Sequence, residues 1–128
     1  MAKIFLVDDD KNIIFIFQKY LEMLGHEIID YAYNGVEAIQ KFKEFDEIPD
    51  LILMDHIMPL KTGIETIKEI LKLNPQTNII FVSADITVKE EAIKLGANSF
   101  IEKPFDFHKL SEKIEDTLPK KKKQSQLV

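Results

Sequence analysis

The 128-residue chain contains no cysteine and no arginine, and no apolar run approaches the ~20 residues that a membrane-crossing helix requires. The missing cysteine excludes disulfides, thiolate nucleophiles and thiolate zinc sites. Without arginine, any phosphate chemistry must rest on lysine, backbone amides or a metal. The missing apolar run argues against membrane insertion. Met1 leads directly into strand-like sequence with no basic-then-apolar leader, so the expectation is a soluble, cytoplasmic protein. Internal repeats and low-complexity tracts are also absent, apart from the last nine residues.

The composition is that of an ordinary globular domain, with 45% hydrophobic and 30% charged residues. The length allows one core and no second domain of normal size. The expected organisation is one domain over residues 1–119, followed by a basic, disordered tail over 120–128. The net charge of −5 hides an asymmetry. Lys120 to Lys123 form a basic block, and setting those four aside leaves 13 basic residues against 22 acidic ones, a balance of −9. So acidic a body is a poor direct binder of nucleic acid, because that affinity rests on cations neutralising phosphates.

Hydrophobic periodicity predicts five strands alternating with five helices. Lys3 to Asp8 reads as a strand, Asn12 to Leu24 as a helix ended by Gly25, and Glu27 to Ala32 as a second strand. Asn34-Gly35 marks a turn before a helix over Val36 to Phe45. Leu51 to Met54 is the third strand. The next helix carries Ile64, Ile67, Ile70 and Leu71 and ends at Asn74-Pro75. Asn78 to Val82 is the fourth strand, Thr87 to Leu95 a short helix closed by Gly96, and Ser99 to Glu102 the fifth strand. Asp106 then caps a helix expected to turn Phe107, Leu110, Ile114 and Leu118 inward. Strict alternation of this kind implies right-handed crossovers and an α/β, doubly wound five-stranded parallel sheet with helices on both faces. The common five-stranded order is 2-1-3-4-5, as in flavodoxin-like folds.

Four apolar runs stop on a residue able to do chemistry: Phe5-Leu6-Val7 on Asp8 and Asp9, Leu51 to Met54 on Asp55, Ile79 to Val82 on Ser83, and Phe100-Ile101-Glu102 on Lys103. An open parallel sheet places its ligand site just outside the carboxyl ends of its strands. If the first and third strands are neighbours, Asp8, Asp9 and Asp55 meet at one edge, where their mutual repulsion calls for a cation. Mg2+ suits such a site, since it takes oxygen ligands and is commonly held by one or two carboxylates plus a phosphate oxygen. Asp9 or Asp10 could instead cap the first helix, and for Asp10 capping is the expected role. Ser83 adds a hydroxyl, although serine at a strand end is commonly a turn residue. Lys103 adds an ammonium group, and Pro104 after it makes the Lys103-Pro104 bond one that can be cis. A carboxylate beside a metal and an ammonium can attack a phosphoryl group to give aspartyl phosphate.

The ordered set Asp8-Asp9, Asp55 with Met58-Pro59 and Gly63, Ser83-Ala84, and Gly96-Ala97 leading to Lys103-Pro104-Phe105 closely resembles the receiver domain of two-component response regulators. The resemblance runs from about Lys3 to Leu118. It implies that Asp55 is the phosphoacceptor and that Asp8, Asp9, Asp55 and the backbone carbonyl of Ile57 hold Mg2+. It also implies that Lys103 pairs with the phosphoryl group and that Ser83 shifts to hydrogen-bond it. Phe100 stands where the family keeps an aromatic that swings inward, altering the surface of the fourth helix, fifth strand and fifth helix. Lys61 and Thr62 stand where the family often has an aspartate before the glycine. Ile57 and Asp85 occupy the variable positions that in this family influence loss of the phosphoryl group. His56 should point away from the side chain of Asp55, giving it a structural or exposed role.

The resemblance implies a phosphorylation-activated switch rather than an enzyme, with self-phosphorylation from phosphodonors and self-dephosphorylation as its only chemistry. Its partners would be a histidine kinase or histidine phosphotransfer protein and a downstream effector. The first helix has two apolar stripes, Ile14, Phe17, Leu21 and Leu24 beside Ile13, Ile16, Tyr20 and Met23. One can pack on the sheet, while the other, or Phe15, can face a kinase helical bundle. One alternative is a haloacid-dehalogenase-like phosphatase with Asp8 as nucleophile in Asp8-Asp9-Asp10; another is a receiver fragment of a longer transcriptional regulator.

Overall fold

The computed structural model describes residues 1–118; the expected tail over 120–128 lies outside the described residues. Five parallel strands, β1 (Lys3–Val7), β2 (Glu27–Ala32), β3 (Leu51–Asp55), β4 (Ile79–Ser83) and β5 (Ser99–Glu102), form one sheet in the order β2-β1-β3-β4-β5. The helices are α1 (Lys11–Met23), α2 (Gly35–Glu44), α3 (Gly63–Leu73), α4 (Lys89–Leu95) and α5 (Phe107–Thr117).

β3 and β4 are buried at every position because helices cover both faces of the sheet. The two-residue period of a strand divides their side chains between two cores. Phe5, Val7, Ile52, Met54, Ile79 and Phe81 face the side packed by α2, α3 and α4. Ile4, Leu6, Leu51, Leu53, Ile80, Val82 and Ile101 face α1 and α5. Each large aliphatic side chain removed from water here stabilises the fold by about 1.5–3 kcal/mol before entropy is counted.

Short polar side chains start the helices where the strands end. Asp10 accepts from the amides of Asn12 and Ile13, confirming the capping role expected of it, and Asn34 does the same for α2 through the Glu37 amide. Thr62 and Glu65 form a reciprocal capping box at α3, and Asp106 caps α5 through the Lys109 amide. At the end of α4, Gly96 adopts φ +123°, a conformation that suits glycine.

Three sequence expectations are corrected. The helix expected over Thr87 to Leu95 is a 3-10 turn over Ile86–Val88 followed by α4, because Asp85 engages the amide of Thr87 and tightens the first turn. Leu24, expected as the last helical residue and as part of the apolar stripe with Ile14, Phe17 and Leu21, is the exposed C-terminal cap, while those three are buried. Phe107, expected inward, is exposed and packs sideways on Tyr20, with ring centroids 4.4 Å apart.

Candidate functional site

β1 and β3 are adjacent, with Val7 paired to Met54, so the next residue on each strand brings Asp8 and Asp55 to the same edge. Both are almost fully buried, at 3% and 7% exposed, while Asp9 is exposed. One carboxylate oxygen from each of the three lies within 4.8 Å of the others.

The hydrogen bonds distinguish the two buried acids. In Asp8, Oδ1 accepts from the Asp10 amide at 2.9 Å and Oδ2 faces Lys103 Nζ at 3.2 Å. In Asp55, Oδ1 takes both the His56 amide at 2.8 Å and Lys103 Nζ at 3.5 Å. Among the described residues Oδ2 of Asp55 has no such partner. Lys103 reaches both acids from just beyond β5, where its amide donates to the Ser83 carbonyl at 3.0 Å and its peptide bond to Pro104 is cis.

Burial dominates the electrostatics. It pushes the Asp55 carboxyl up to about 6, with the charge of Asp8 adding to the effect and Lys103 opposing it. Asp8 is also raised by burial, against the Asp10 amide and Lys103. Burial pulls Lys103 down, but its two carboxylate neighbours outweigh that and leave it raised. The site thus carries more negative charge than one lysine relieves. Its donors are all carboxylate oxygens, the set that a hard divalent cation such as Mg2+ prefers.

The loop after Asp55 is held against the strand it leaves. The Gly63 amide donates to the His56 carbonyl at 2.8 Å, and a Cβ at Gly63 would collide with the carbonyl oxygen of Asp55. Met58 is buried in the core, whereas the side chain of Ile57 is exposed. Ser83, the last residue of β4, is fully buried; its Oγ accepts from the Asp85 amide at 3.0 Å and makes no hydrogen bond to the acids. Phe100 is half-buried on β5 and stacks on Phe81.

Beside Lys103 an open apolar groove of about 500 Å3 runs between α1 and the start of α5, lined by Ile13, Ile16, Phe17, Ala84, Pro104, Phe105 and Phe107. Tyr20 fixes its two walls together by donating its hydroxyl to the Phe107 carbonyl at 3.1 Å. Sequence periodicity pointed to Ile13 and Ile16 but not to Pro104 or Phe105, whose part depends on how the loop after β5 folds back. A second cleft, about 370 Å3, lies on the face of α4, β5 and α5 and is lined by Ile86, Lys89, Phe100, Ile101, Glu102, Lys109 and Lys113.

A five-stranded parallel sheet of this order, with an acid cluster and a lysine at its carboxyl edge, defines a doubly wound, flavodoxin-like α/β domain whose site lies where the strands end. The response regulator receiver domain family model matches residues 4–115, and the chain belongs to that family. It is 38% identical over 114 residues to chemotaxis protein CheY of Thermotoga maritima, covering 88% of this chain and 93% of that one. It is 37% identical over 118 residues to CheY of Bacillus subtilis, covering 91% and 97%. The CheX-CheY-BeF3-Mg2+ complex from Borrelia burgdorferi superposes with a TM-score of 0.86 at 27% identity, covering 89% of this chain and 87% of that one. Response regulator TrrA of Thermotoga maritima, solved in complex with Mg2+-BeF, gives 0.82 at 34% identity, covering 92% and 100%. The protein is therefore a CheY-like receiver domain of two-component signalling, a class of signalling proteins rather than enzymes. No described helix is long and apolar enough to cross a membrane.

Proposed function

We propose that Asp55 accepts a phosphoryl group from a histidine kinase or histidine phosphotransfer protein, and that the modified domain then controls an effector. The convergence of Asp55 with Asp8, Asp9 and Lys103 carries this reading. In the transfer, Oδ2 of Asp55 forms a bond to phosphorus as the bond from phosphorus to the donor imidazole nitrogen breaks, and that nitrogen keeps the electron pair. Oδ2 suits this role because both contacts of the carboxylate fall on Oδ1. Asp8 is the poorer nucleophile because each of its oxygens is engaged, which disfavours the phosphatase reading.

The carboxylates of Asp8, Asp9 and Asp55, with the backbone carbonyl of Ile57, would hold Mg2+, which when bound neutralises charge on the phosphoryl oxygens. Lys103 turns from Asp8 and Asp55 toward the incoming oxygens. Ser83 exchanges its contact with the Asp85 amide for a hydrogen bond to the phosphoryl group. Phe100 follows, changing the α4-β5-α5 surface that an effector reads. The groove between α1 and α5 receives the helical bundle of the phosphodonor, beside Lys103 as the transfer requires. Such a relay operates in the cytoplasm.

The test is incubation of the full chain with Mg2+ and acetyl phosphate, followed by intact mass. Wild type should gain one phosphoryl adduct and Asp55→Asn none. An adduct that persists in Asp55→Asn would place the nucleophile elsewhere, with Asp8 the first candidate.

A further inference from the structure

Ser83 and the acid cluster stand at the carboxyl edge of the sheet, and beside them lie three aromatic rings, two from β4 and β5 and one from the residue that follows β3. Register pairs Phe81 of β4 with Phe100 of β5, and Met54 of β3 with Phe81. The rings of Phe81 and Phe100 are stacked, with centroids 5.9 Å apart and planes 18° from parallel. On the other side of Phe81 lies the imidazole of His56, 5.8 Å away and tilted by 43°. His56 is two residues beyond Met54 and so shares its face, while Asp55 between them projects to the other.

Phe81 is the middle member and the most tightly held. It is fully buried, and a Cβ at Gly63 would come within 2.8 Å of its Cζ. Its ring therefore rests against a backbone that is itself bonded to the strand end at His56. Ser83 lies two residues farther along β4, on the same face as Phe81. A displacement of the Ser83 hydroxyl or of the β3–α3 loop thus acts on a ring already in contact with Phe100. Packed aromatic contacts of this kind shift between discrete arrangements rather than deforming continuously.

We propose that His56, Phe81 and Phe100 move as one packed unit, and that Phe81 is the positioning residue through which the state of the Asp55 strand reaches the α4-β5-α5 surface. This rests on the reading of Asp55 and Phe100 above, and it adds two residues to the readout: His56, whose amide is bonded to the Asp55 carboxylate, and Phe81, whose side chain carries no polar atom to offer the phosphoryl site. On this view the resting position of Phe100 depends on an aromatic neighbour, and a merely bulky aliphatic side chain at position 81 does not suffice.

The experiment uses the full chain with isotope-labelled phenylalanine, compared with and without Mg2+ and beryllofluoride. The resonance of Phe100 is identified by its loss in Phe100→Leu, and beryllofluoride binding is read independently by fluorine NMR. In wild type the Phe100 resonance should move on binding. Phe81→Leu and His56→Ala should bind beryllofluoride as wild type does, yet lose that movement. His56→Phe, which restores a ring, should recover it. Phe5→Leu truncates another buried ring of the same core and should keep the movement, separating coupling from general loosening. A Phe100 response that survives in Phe81→Leu, or is lost equally in Phe5→Leu, overturns the proposal. Failure of wild type to bind beryllofluoride would instead overturn the reading of the site beneath it.

Discussion

Lys103, just beyond β5, and Asp8, just beyond β1, are joined by an ion pair of 3.2 Å that spans 95 positions of sequence and two intervening strands. The same ammonium lies 3.5 Å from Asp55, so one cation ties both edges of the site together. Substituting Lys103→Met keeps the bulk and removes the charge. Loss of a charged donor at a transferring group costs on the order of 10²-fold in rate, so labelling by acetyl phosphate should slow by about that factor. Time-resolved intact mass measures it, and an unchanged rate would remove Lys103 from the chemistry.

The raised pKa of Asp55 makes stability depend on pH in a definite direction. Its carboxyl titrates near 6 in the fold against 3.8 in the unfolded chain. Below about pH 3 both states are protonated and nothing is lost; as pH rises from there toward 6 the unfolded chain ionises first, and the metal-free fold weakens. Above that the penalty is constant. Asp55→Asn should therefore be more stable than wild type by about 1–3 kcal/mol at neutral pH, and no more stable at about pH 3. Urea unfolding without metal at the two pH values checks this, and a pH-independent difference would contradict it.

On the proposed binding, Mg2+ would have to displace the proton that burial favours on Asp55. Its affinity should be flat above about pH 6 and weaken by up to about tenfold per unit below it, because one proton competes with the ion. Titration calorimetry across that range gives the slope. Asp9→Asn removes one proposed ligand while leaving both buried acids in place, so it should weaken binding, and because the charge of Asp9 helps to raise Asp55 it should also move the midpoint to lower pH.

On α1, Phe15 is 60% and Ile16 44% exposed, and neither supports the core. Phe15→Ala and Ile16→Ala should change stability by no more than about 0.5 kcal/mol. Labelling by acetyl phosphate, which needs no docking, should be unaffected. Transfer from a cognate histidine kinase should slow by roughly fivefold or more if either side chain anchors the donor. Equal transfer rates in both variants would move docking away from this face.

At Gly63 a methyl group meets the carbonyl oxygen of Asp55 and the Cα of His56, backbone atoms that cannot step aside. Gly63→Ala should lower stability by about 1–3 kcal/mol and should also disturb labelling, because the strain falls on Asp55, the proposed acceptor. Thermal unfolding and intact mass on one sample measure the two together.

Much of this was visible in the sequence because its signals were local. Continuous apolar runs marked the buried strands, Asp10 and Asp106 marked helix starts, and the chemistry lay at the strand ends. What escaped depended on partners distant in sequence. Phe81 looked like any strand residue until register set it between His56 and Phe100. Phe107 fitted the inward stripe of α5 by spacing, yet a hydroxyl on α1 holds its carbonyl and an aromatic ring there takes its side chain. Ser83 was correctly placed at a strand end, but its contact with the Asp85 amide reflects a loop path that no periodicity encodes.

The bond from Tyr20 to the Phe107 carbonyl bears on how the protein would be kept to its own pathway. With its two walls joined, the groove would offer the proposed helical donor a fixed outline instead of one that adapts to each arrival. Discrimination between cognate and foreign kinases would then reside in the side chains along the rim, where Ile13 and Ile16 can be exchanged without touching the acids. A cell with many such relays could insulate one from another by redrawing that rim alone.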